Sequence, residues 1–268
     1  MILVAIAAIS LVIALSVFFI CFKKVSQIYW IAVVFAGSFW GLILLWALPV
    51  IICSLFVDLK KPCRKHNPFY RFYANCLIDL AIRLMRIKIH VTGEEKLPKE
   101  KFLLVGNHLS YFDPGVAMLA LRSYRMGFVG ATEVLYKFPV LKKIGHKVFC
   151  IPLDRQSARD GVRMVNEAAE IISSQLASIG IYPEGRRNLE GGELLPFKNG
   201  AFKIAKKANC PIVVAQIRNI ENVKKNMPFR RTHVYLDFVA VIKPEEIEGY
   251  TTQDIGALVR KTLEEKLE

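Results

Sequence analysis

Residues 102–114 read FLLVGNHLSYFDP and combine an apolar run with the start of a helix. The run at 102–106 is short and apolar, as in a buried strand. Asp113 followed by Pro114 predicts a helix start, because proline is well tolerated at the first helical position. His108 is therefore expected on a strand-to-helix loop, with Asp113 folded back toward it.

His108 and Asp113 are candidates for a catalytic pair. A carboxylate on one ring nitrogen fixes the tautomer of a histidine and stabilises its imidazolium form, while the other nitrogen takes a proton. The His-x4-Asp spacing alone also fits a surface histidine beside a helix cap, or two metal ligands. No further His or Cys lies nearby in the sequence to complete a metal site, so we predict neither a metal nor a cofactor.

Beyond residue 86, short apolar runs alternate with helical patterns to the end of the chain. Strands are predicted at 87–92, 102–106, 126–130, 148–152, 179–183, 211–217 and 233–242. Helices are predicted at 114–122, 157–177, 200–208 and 252–267. Ser157 with Asp160, and Thr251 with Asp254, resemble capping boxes at two of these helix starts. The alternation predicts an α/β fold, with a mixed sheet flanked by helices.

The N-terminal segment is predicted to be helical and embedded in a membrane. Residues 1–22 carry no charge and would reach roughly 33 Å as a helix, enough to cross a hydrocarbon core of about 30 Å. A cleaved signal peptide is the alternative, but the run lacks a basic start and an obvious cleavage site. The uncharged run at 28–57 would be roughly 45 Å long as one helix. Gly37, Gly41 and Pro49 could bend it into a re-entrant piece, or Pro49 could separate a spanning helix from an interfacial end.

Basic residues beside the two uncharged runs predict the orientation of the chain. Lys23 and Lys24 lie in the turn of a two-helix hairpin, whereas more cations follow the second run, namely Lys60, Lys61, Arg64 and Lys65. Under the positive-inside rule, this difference places the remaining chain at the cytoplasmic face of the cell membrane.

Residues 67–88 predict an amphipathic helix, whose apolar side either packs on the domain core or lies on the bilayer surface. Its polar stripe consists of Arg71, Asn75, Asp79, Arg83 and Arg86. The chain is thus predicted to comprise membrane helices at 1–57, a basic linker with this helix at 58–88, and an α/β domain at 89–268.

Composition narrows the class of partner. Lys and Arg outnumber Asp and Glu by 37 to 23, and the net charge of +14 suits nucleic acid, acidic lipid or a phosphorylated substrate. With 53% apolar residues and no recognised nucleic-acid motif, membrane lipid is favoured and no nucleic acid is expected. The six cysteines include no CxxC pair, so neither a disulfide framework nor a zinc site is predicted.

Four further blocks follow the His-x4-Asp stretch. They read VFCIPLDR at 148–155, IYPEGRRN at 181–188, PFKNGAF at 196–202 and PIV at 211–213. In this order behind Asn-His-x4-Asp, they resemble the 1-acylglycerol-3-phosphate acyltransferase branch of the glycerolipid acyltransferase superfamily. The resemblance covers residues 67 to 218.

The resemblance implies functional roles for six residues. It implies a catalytic pair at His108 and Asp113, and it implies that the phosphorylated glycerol acceptor, lysophosphatidate, is bound by Arg155, Glu184, Gly185 and Arg187. It also implies an acyl donor carried by coenzyme A (acyl-CoA) or by acyl-carrier-protein. The residue chemistry agrees, because a planar guanidinium fork suits phosphate oxygens and a glycine allows close backbone approach.

The sequence departs from the family pattern at Arg186, where Thr is common, at Asn188, where Ser is usual, and at Val214, which replaces a second proline. Thr132 stands near a position where the family often has lysine. Because three of these departures lie in acceptor-binding stretches, the same chemistry on a different lyso-lipid or amine acceptor stays an alternative. A catalytically silent lipid-binding protein is a second alternative, which the retained motif residues disfavour.

Four other polar residues are given no catalytic role. Ser110 lies close to His108 but lacks the Gly-x-Ser-x-Gly elbow of a nucleophile. His90 and His233 fall in strand patterns, where a hydrogen-bonded structural histidine is expected, and His146 is expected in a loop.

Overall fold

The chain divides into two compact units, Met1–Asp58 and Leu59–Glu268. The first is built from the uncharged runs, and the second from the alternating apolar runs and helical patterns. This computed structural model describes residues 2–21, 27–132, 138–189 and 193–265.

The first unit contains two apolar helices, α1 (Ile2–Cys21) and α2 (Tyr29–Leu55), which pack against each other. Both are long and apolar enough to cross a membrane, with mean hydropathies of 3.0 and 2.2. α2 continues through Pro49 for 27 residues, so one helix spans most of this run. A continuous helix satisfies its own backbone groups, whereas a break in hydrocarbon would leave some unpaired. Lys23 and Lys24 lie outside the described residues.

The second unit is built on a mixed sheet. Its described strands are β1 (Ile87–Thr92), β2 (Leu103–Gly106), β3 (Gly127–Ala131), β4 (Ile151–Leu153), β5 (Ile179–Ile181), β6 (Ile212–Arg218) and β7 (Thr232–Ile242). They form a seven-stranded sheet in the order β1-β7-β6-β2-β5-β3-β4. Neighbouring strands are parallel except β6 and β7, which are antiparallel. The predicted α/β class with a mixed sheet is confirmed.

The helices of the second unit mostly follow the predicted positions. They are α3 (Pro68–Leu84), α4 (Asp113–Ala120), α5 (Pro139–Lys147), α6 (Ala158–Ser173), α7 (Lys203–Ala208), α8 (Val223–Asn226) and α9 (Thr252–Glu264). The sequence patterns do not predict α5 or α8. His146 therefore lies in a helix rather than in the predicted loop.

Two predicted strands are shorter in the structure. β4 begins at Ile151 rather than at residue 148, because Phe149 has a φ of 68° and so adopts a left-handed conformation that a strand excludes. β5 ends at Ile181 rather than at residue 183, where a turn through Pro183 and Glu184 begins.

The main hydrophobic core lies between the sheet and helices α6, α7 and α9. Leu103 and Val105 point to the same face of β2, as alternate strand residues do, and join a buried cluster with Met164, Ile204 and Val259. This packing fixes β2, β5 and β6 beside one another. Because β2 is parallel to both neighbours, the carboxyl ends of all three strands meet at one edge of the sheet.

The two predicted capping boxes differ. Thr251 and Asp254 form a complete box at the start of α9, with both reciprocal hydrogen bonds. At the start of α6, Ser157 Oγ accepts a hydrogen bond from Asp160 N at 3.1 Å. The Asp160 carboxylate accepts from Asp154 N at 2.7 Å instead of turning back to Ser157, so the predicted second box is incomplete.

α3 lies within the predicted amphipathic helix at 67–88. It packs against α4, α5 and β1. The predicted polar stripe is wrong at Arg71, which is buried. Its guanidinium donates hydrogen bonds to the carbonyls of Met126, Arg125 and Val148 at 2.7, 2.9 and 3.0 Å. An arginine fork can satisfy several acceptors at once, and here it ties α3 to the segments that lead into β3 and β4.

Candidate active site

His108 and Asp113 are in direct contact on the loop between β2 and α4. His108 Nδ1 lies 2.7 Å from Asp113 Oδ2. The same carboxylate oxygen accepts hydrogen bonds from the backbone N–H groups of Leu109 and Ser110, at 2.7 and 2.8 Å. Asp113 therefore fixes both the imidazole and the loop that carries it.

Asp113 is fully buried, whereas 14% of the His108 side chain is exposed. Burial raises the pKa of Asp113, and the hydrogen bonds from His108, Ser110 and Leu109 act in the opposite direction by favouring the carboxylate. Because Nδ1 of His108 is hydrogen-bonded to Asp113, the imidazole nitrogen available for proton transfer is Nε2. His108 lines an open cleft, so a substrate hydroxyl can approach this nitrogen.

Two polar side chains, Asn107 and Glu184, hold the start of the loop. The Asn107 side chain donates to Ile217 O at 2.9 Å and accepts from Ile217 N at 2.8 Å, which fastens the loop to β6. Buried Glu184 accepts from His108 N at 2.9 Å and from Leu195 N at 3.3 Å. Burial raises the pKa of Glu184, and these backbone hydrogen bonds oppose the rise. Both Glu184 oxygens thus contact the protein backbone.

The His108 ring is stacked on Tyr182. Their ring centroids are 4.4 Å apart and the rings lie 7° from parallel. Phe128 stacks on Tyr182 at 5.8 Å, which extends the column of rings. A Cβ atom at Gly180 would lie 2.2 Å from the Phe128 ring, so only glycine leaves room for this column. Burial raises the pKa of the Tyr182 phenol well above its usual range, so its hydroxyl stays protonated.

The cleft beside His108 is rich in cations. Its lining includes Arg155, Arg186, Arg187, Lys198, Lys203 and Lys207. Asp154 is the one carboxylate among the described lining residues. This imbalance favours an anionic ligand such as a phosphate.

Gly185 and Arg187 have defined positions in this basic region. Gly185 has a φ of 70°, and a Cβ atom there would lie 2.9 Å from Cε of Lys198. The guanidinium carbon of Arg187 lies 3.6 Å from the centre of the Tyr111 ring. No ion pair joins Arg187 to Glu184 among the described residues.

The same cleft has an extensive apolar wall and a volume of about 1650 Å³. Apolar lining residues include Ile78, Ala81, Ile82, Met118, Phe128, Val129, Leu141, Leu153, Val162 and Val165. A ligand that combines a phosphate with a hydrocarbon chain matches both parts of this lining.

Ser110, His90 and His233, which were given no catalytic role, form hydrogen bonds to other parts of the protein. Ser110 Oγ accepts a hydrogen bond from Phe112 N at 3.3 Å. His90 Nε2 lies 2.9 Å from His233 Nδ1 across β1 and β7, so both are hydrogen-bonded strand residues, as predicted. Within the described part of the chain, no three His, Cys, Asp or Glu side chains are grouped to hold a metal ion.

The sequence patterns do not identify Asn107, Tyr182 or Lys198 as site residues. Each acts through a contact with a distant segment, such as the one between β5 and the loop after β2. The adjacency of Asn107 to His108 and of Tyr182 to the Pro-Glu-Gly block is the sequence signal that could have selected them.

An α/β sheet with a His-Asp pair in a cleft that is both basic and apolar defines an enzyme acting on a lipid-like, anionic substrate. The family model for acyltransferases matches residues 88–218, which hold the loop with His108 and Asp113 and the basic region of the cleft. This match confirms the resemblance to acyltransferases that the motifs predict.

Curated relatives carry the name 1-acyl-sn-glycerol-3-phosphate acyltransferase. One from Borreliella burgdorferi is 29% identical over 195 residues, covering 71% of this chain and 76% of the relative. One from Saccharomyces cerevisiae is 27% identical over 199 residues, covering 73% and 64%. The chain thus spans less than two thirds of the yeast protein.

A solved structure from Thermotoga maritima has a similar fold. It is described as the 1-acyl-sn-glycerophosphate (LPA) acyltransferase PlsC and is 19% identical in sequence. The match has a TM-score of 0.60 and covers 83% of this chain and 88% of the other. At this identity the match supports the fold alone.

Proposed function

We propose that the protein transfers a fatty acyl group from an acyl thioester to the free hydroxyl of 1-acylglycerol-3-phosphate, giving phosphatidate. The observation that carries this proposal is the position of His108 and Asp113 in a cleft whose lining is cationic and apolar. The acceptor has a phosphate and a hydrocarbon chain, and the relatives are named for this reaction.

The chemical step is a direct acyl transfer. His108 Nε2 takes the proton from the acceptor hydroxyl as its oxygen attacks the thioester carbonyl carbon. The tetrahedral intermediate then collapses, the carbon–sulfur bond breaks, and the thiolate receives the proton from His108. Asp113 holds the ring and stabilises the imidazolium between these two proton transfers.

The basic residues of the cleft bind the acceptor phosphate in this proposal. Arg187 and Arg155 supply planar guanidinium forks, and the absence of a side chain at Gly185 lets Lys198 and the phosphate approach the backbone closely. We propose a positioning role for Glu184 in place of the acceptor contact that the resemblance implies. Its carboxylate would repel a phosphate, and the hydrogen bonds that it accepts from His108 N and Leu195 N support the positioning role.

The donor is acyl-CoA or acyl-carrier-protein, and the helices α1 and α2 anchor the enzyme in the membrane that contains its acceptor. The second unit lies at the cytoplasmic face, where both donor carriers occur. The cations that follow α2, Lys60, Lys61, Arg64 and Lys65, support this orientation.

A substrate panel tests the proposed function. Full-length protein in nanodiscs is given radiolabelled acyl-CoA or acyl-carrier-protein donors, each with lysophosphatidate, lysophosphatidylcholine, glycerol 3-phosphate or a lipid amine. We expect the highest kcat/KM with lysophosphatidate. Preference for another acceptor would replace the substrate assignment, and binding without turnover on any acceptor would favour the silent lipid-binding alternative.

Arg187→Ala is expected to raise the acceptor KM by roughly 10- to 150-fold, because a hydrogen bond to a charged group contributes about 1.5–3 kcal/mol. The donor KM should change far less. Arg187→Lys should restore binding only in part, since it keeps the charge and loses the bidentate fork. Both KM values and the thermal midpoint are measured for each variant. A lowered midpoint with an unchanged acceptor KM would show that Arg187 has a structural role instead.

Tyr182→Leu is expected to lower kcat by roughly 2- to 10-fold, because aromatic stacking contributes about 0.5–1.5 kcal/mol to holding the His108 ring. Tyr182→Phe keeps the stack and should stay close to wild type. Both KM values should be similar in all three proteins. If the Phe variant were as slow as the Leu variant, the phenol hydroxyl rather than the stack would be the important group.

A further inference from the structure

A basic loop lies beside the catalytic loop at one edge of the sheet. β6 is parallel to β2, so the segment that follows β6 begins at the same edge as His108. The Asn107 side chain bonds to both backbone groups of Ile217, one residue before β6 ends. The chain then runs through α8 and returns into β7 at Thr232.

Six exposed residues of this segment form what we call the basic edge surface: Lys224, Lys225, Met227, Phe229, Arg230 and Arg231. Phe229 is 85% exposed and Met227 is 40% exposed. Among the described residues, none of the four cations forms an ion pair. An aromatic side chain surrounded by unpaired cations is not explained by packing within the fold.

The segment before β1 adds a further cation beside this surface. Thr232 N donates to Arg86 O at 3.1 Å, which places exposed Arg86 beside this surface. The nearby acids do not pair with these cations. Asp237 pairs with Arg218 at 2.6 Å, and among the described residues Glu221 forms no ion pair with a cation of this surface. The positive charge of the surface is therefore left for an external partner.

We infer that the basic edge surface binds the anionic phospholipid surface of the membrane. Lysine and arginine are attracted to anionic headgroups, and an aromatic ring is stable at the boundary between headgroups and acyl chains. An acidic soluble protein would match the cations but would give the protruding Phe229 no hydrocarbon to enter. The combination of aromatic and basic side chains thus favours lipid.

This contact would place the catalytic edge at the bilayer surface. If the proposed function holds, a lysophosphatidate acceptor can then reach His108 without carrying its acyl chain through water. The lipid contact itself does not depend on that function, because it is made by residues outside the cleft.

Hydrogen exchange of the full-length protein in nanodiscs tests the inference. One set of discs contains phosphatidylcholine alone, and the other contains about one third phosphatidylglycerol to supply anionic surface. We expect slower amide exchange at 223–231 in the phosphatidylglycerol discs. Salt at about 0.5 M should remove the difference, because it screens charges beyond about 4 Å. Residues 94–101 precede β2 at the opposite sheet edge and should exchange equally in both.

Matched variants separate a local contact from net charge. Lys224→Gln with Lys225→Gln should weaken the lipid contact on the order of 10-fold, which would abolish most of the protection. Lys99→Gln with Lys243→Gln removes the same charge at the opposite edge and should keep the protection. Phe229→Ser keeps all the cations and should reduce protection by removing the inserted ring.

Equal exchange of 223–231 in the two kinds of disc would overturn the inference. Protection by added acyl-carrier-protein, with none from phosphatidylglycerol, would overturn it too, because the surface would then be a protein-docking site. None of these hydrogen-exchange measurements requires the protein to be catalytically active. An inactive protein with a lipid-protected loop would refute the proposed function and leave the inference standing.

Discussion

His108→Ala is expected to lower kcat by about 10²–10⁴, the usual contribution of a general base. In the proposed mechanism the His108 imidazole takes the acceptor proton, and its Nδ1 lies 2.7 Å from Asp113 Oδ2. Turnover above about a tenth of wild type would contradict that role.

The fold and the acceptor site should survive this substitution. The backbone of residue 108 still donates to Glu184 and accepts from Asn188 N, at 2.9 and 2.7 Å in the native protein. Asp113 also keeps its hydrogen bonds from Leu109 N and Ser110 N. The acceptor KM and thermal midpoint should therefore stay near wild type, while kcat falls.

A matched variant and a rescue experiment sharpen the test. His233→Ala removes a hydrogen-bonded histidine from β7, away from the cleft, and should retain nearly full turnover. Added imidazole should restore part of the activity of His108→Ala, because the ring can enter the vacated space against Tyr182. Rescue by imidazole would identify proton transfer, and not loop geometry, as the lost property.

The sequence predicts the fold most accurately where local chemistry dominates. The run 102–106 and the Asp113-Pro114 pair place β2 and the start of α4 within a residue of their observed bounds. The prediction is wrong at Arg71, because helical periodicity cannot show that a cation will meet three free carbonyls of distant segments. It is also wrong at residue 148, because nothing local reveals the left-handed φ of Phe149.

The site is predictable in its chemistry and less so in its supporting contacts. Spacing alone suggests that His108 and Asp113 meet, since only a short loop separates them. The contact of Tyr182 with His108 depends instead on β5 lying beside β2, and 74 residues separate the two side chains in sequence. The backbone partners of Glu184 show the same limit, because its motif does not identify His108 N and Leu195 N as the donors.

Asp113→Asn is expected to lower kcat by a similar factor, about 10²–10⁴, although the change replaces one oxygen by a nitrogen of nearly equal size. Asp113 Oδ2 accepts three N–H groups, from His108, Leu109 and Ser110. An amide can present its oxygen to these donors, but it carries no negative charge to stabilise the imidazolium. If its NH2 group faces Nδ1 instead, it holds His108 in the tautomer whose Nε2 cannot accept a proton.

The control for this variant is Asp79→Asn, which removes a partly exposed carboxylate that pairs with Arg83 and Arg122. Surface ion pairs contribute about 0–1 kcal/mol, so this control should change neither kcat nor the thermal midpoint appreciably. Asp113→Asn should lower the midpoint modestly, since the backbone hydrogen bonds to Leu109 and Ser110 lose a charged acceptor. It should also resist rescue by imidazole, because His108 is still present and fills that space. Wild-type turnover in Asp113→Asn would remove the carboxylate from the mechanism and leave His108 acting alone.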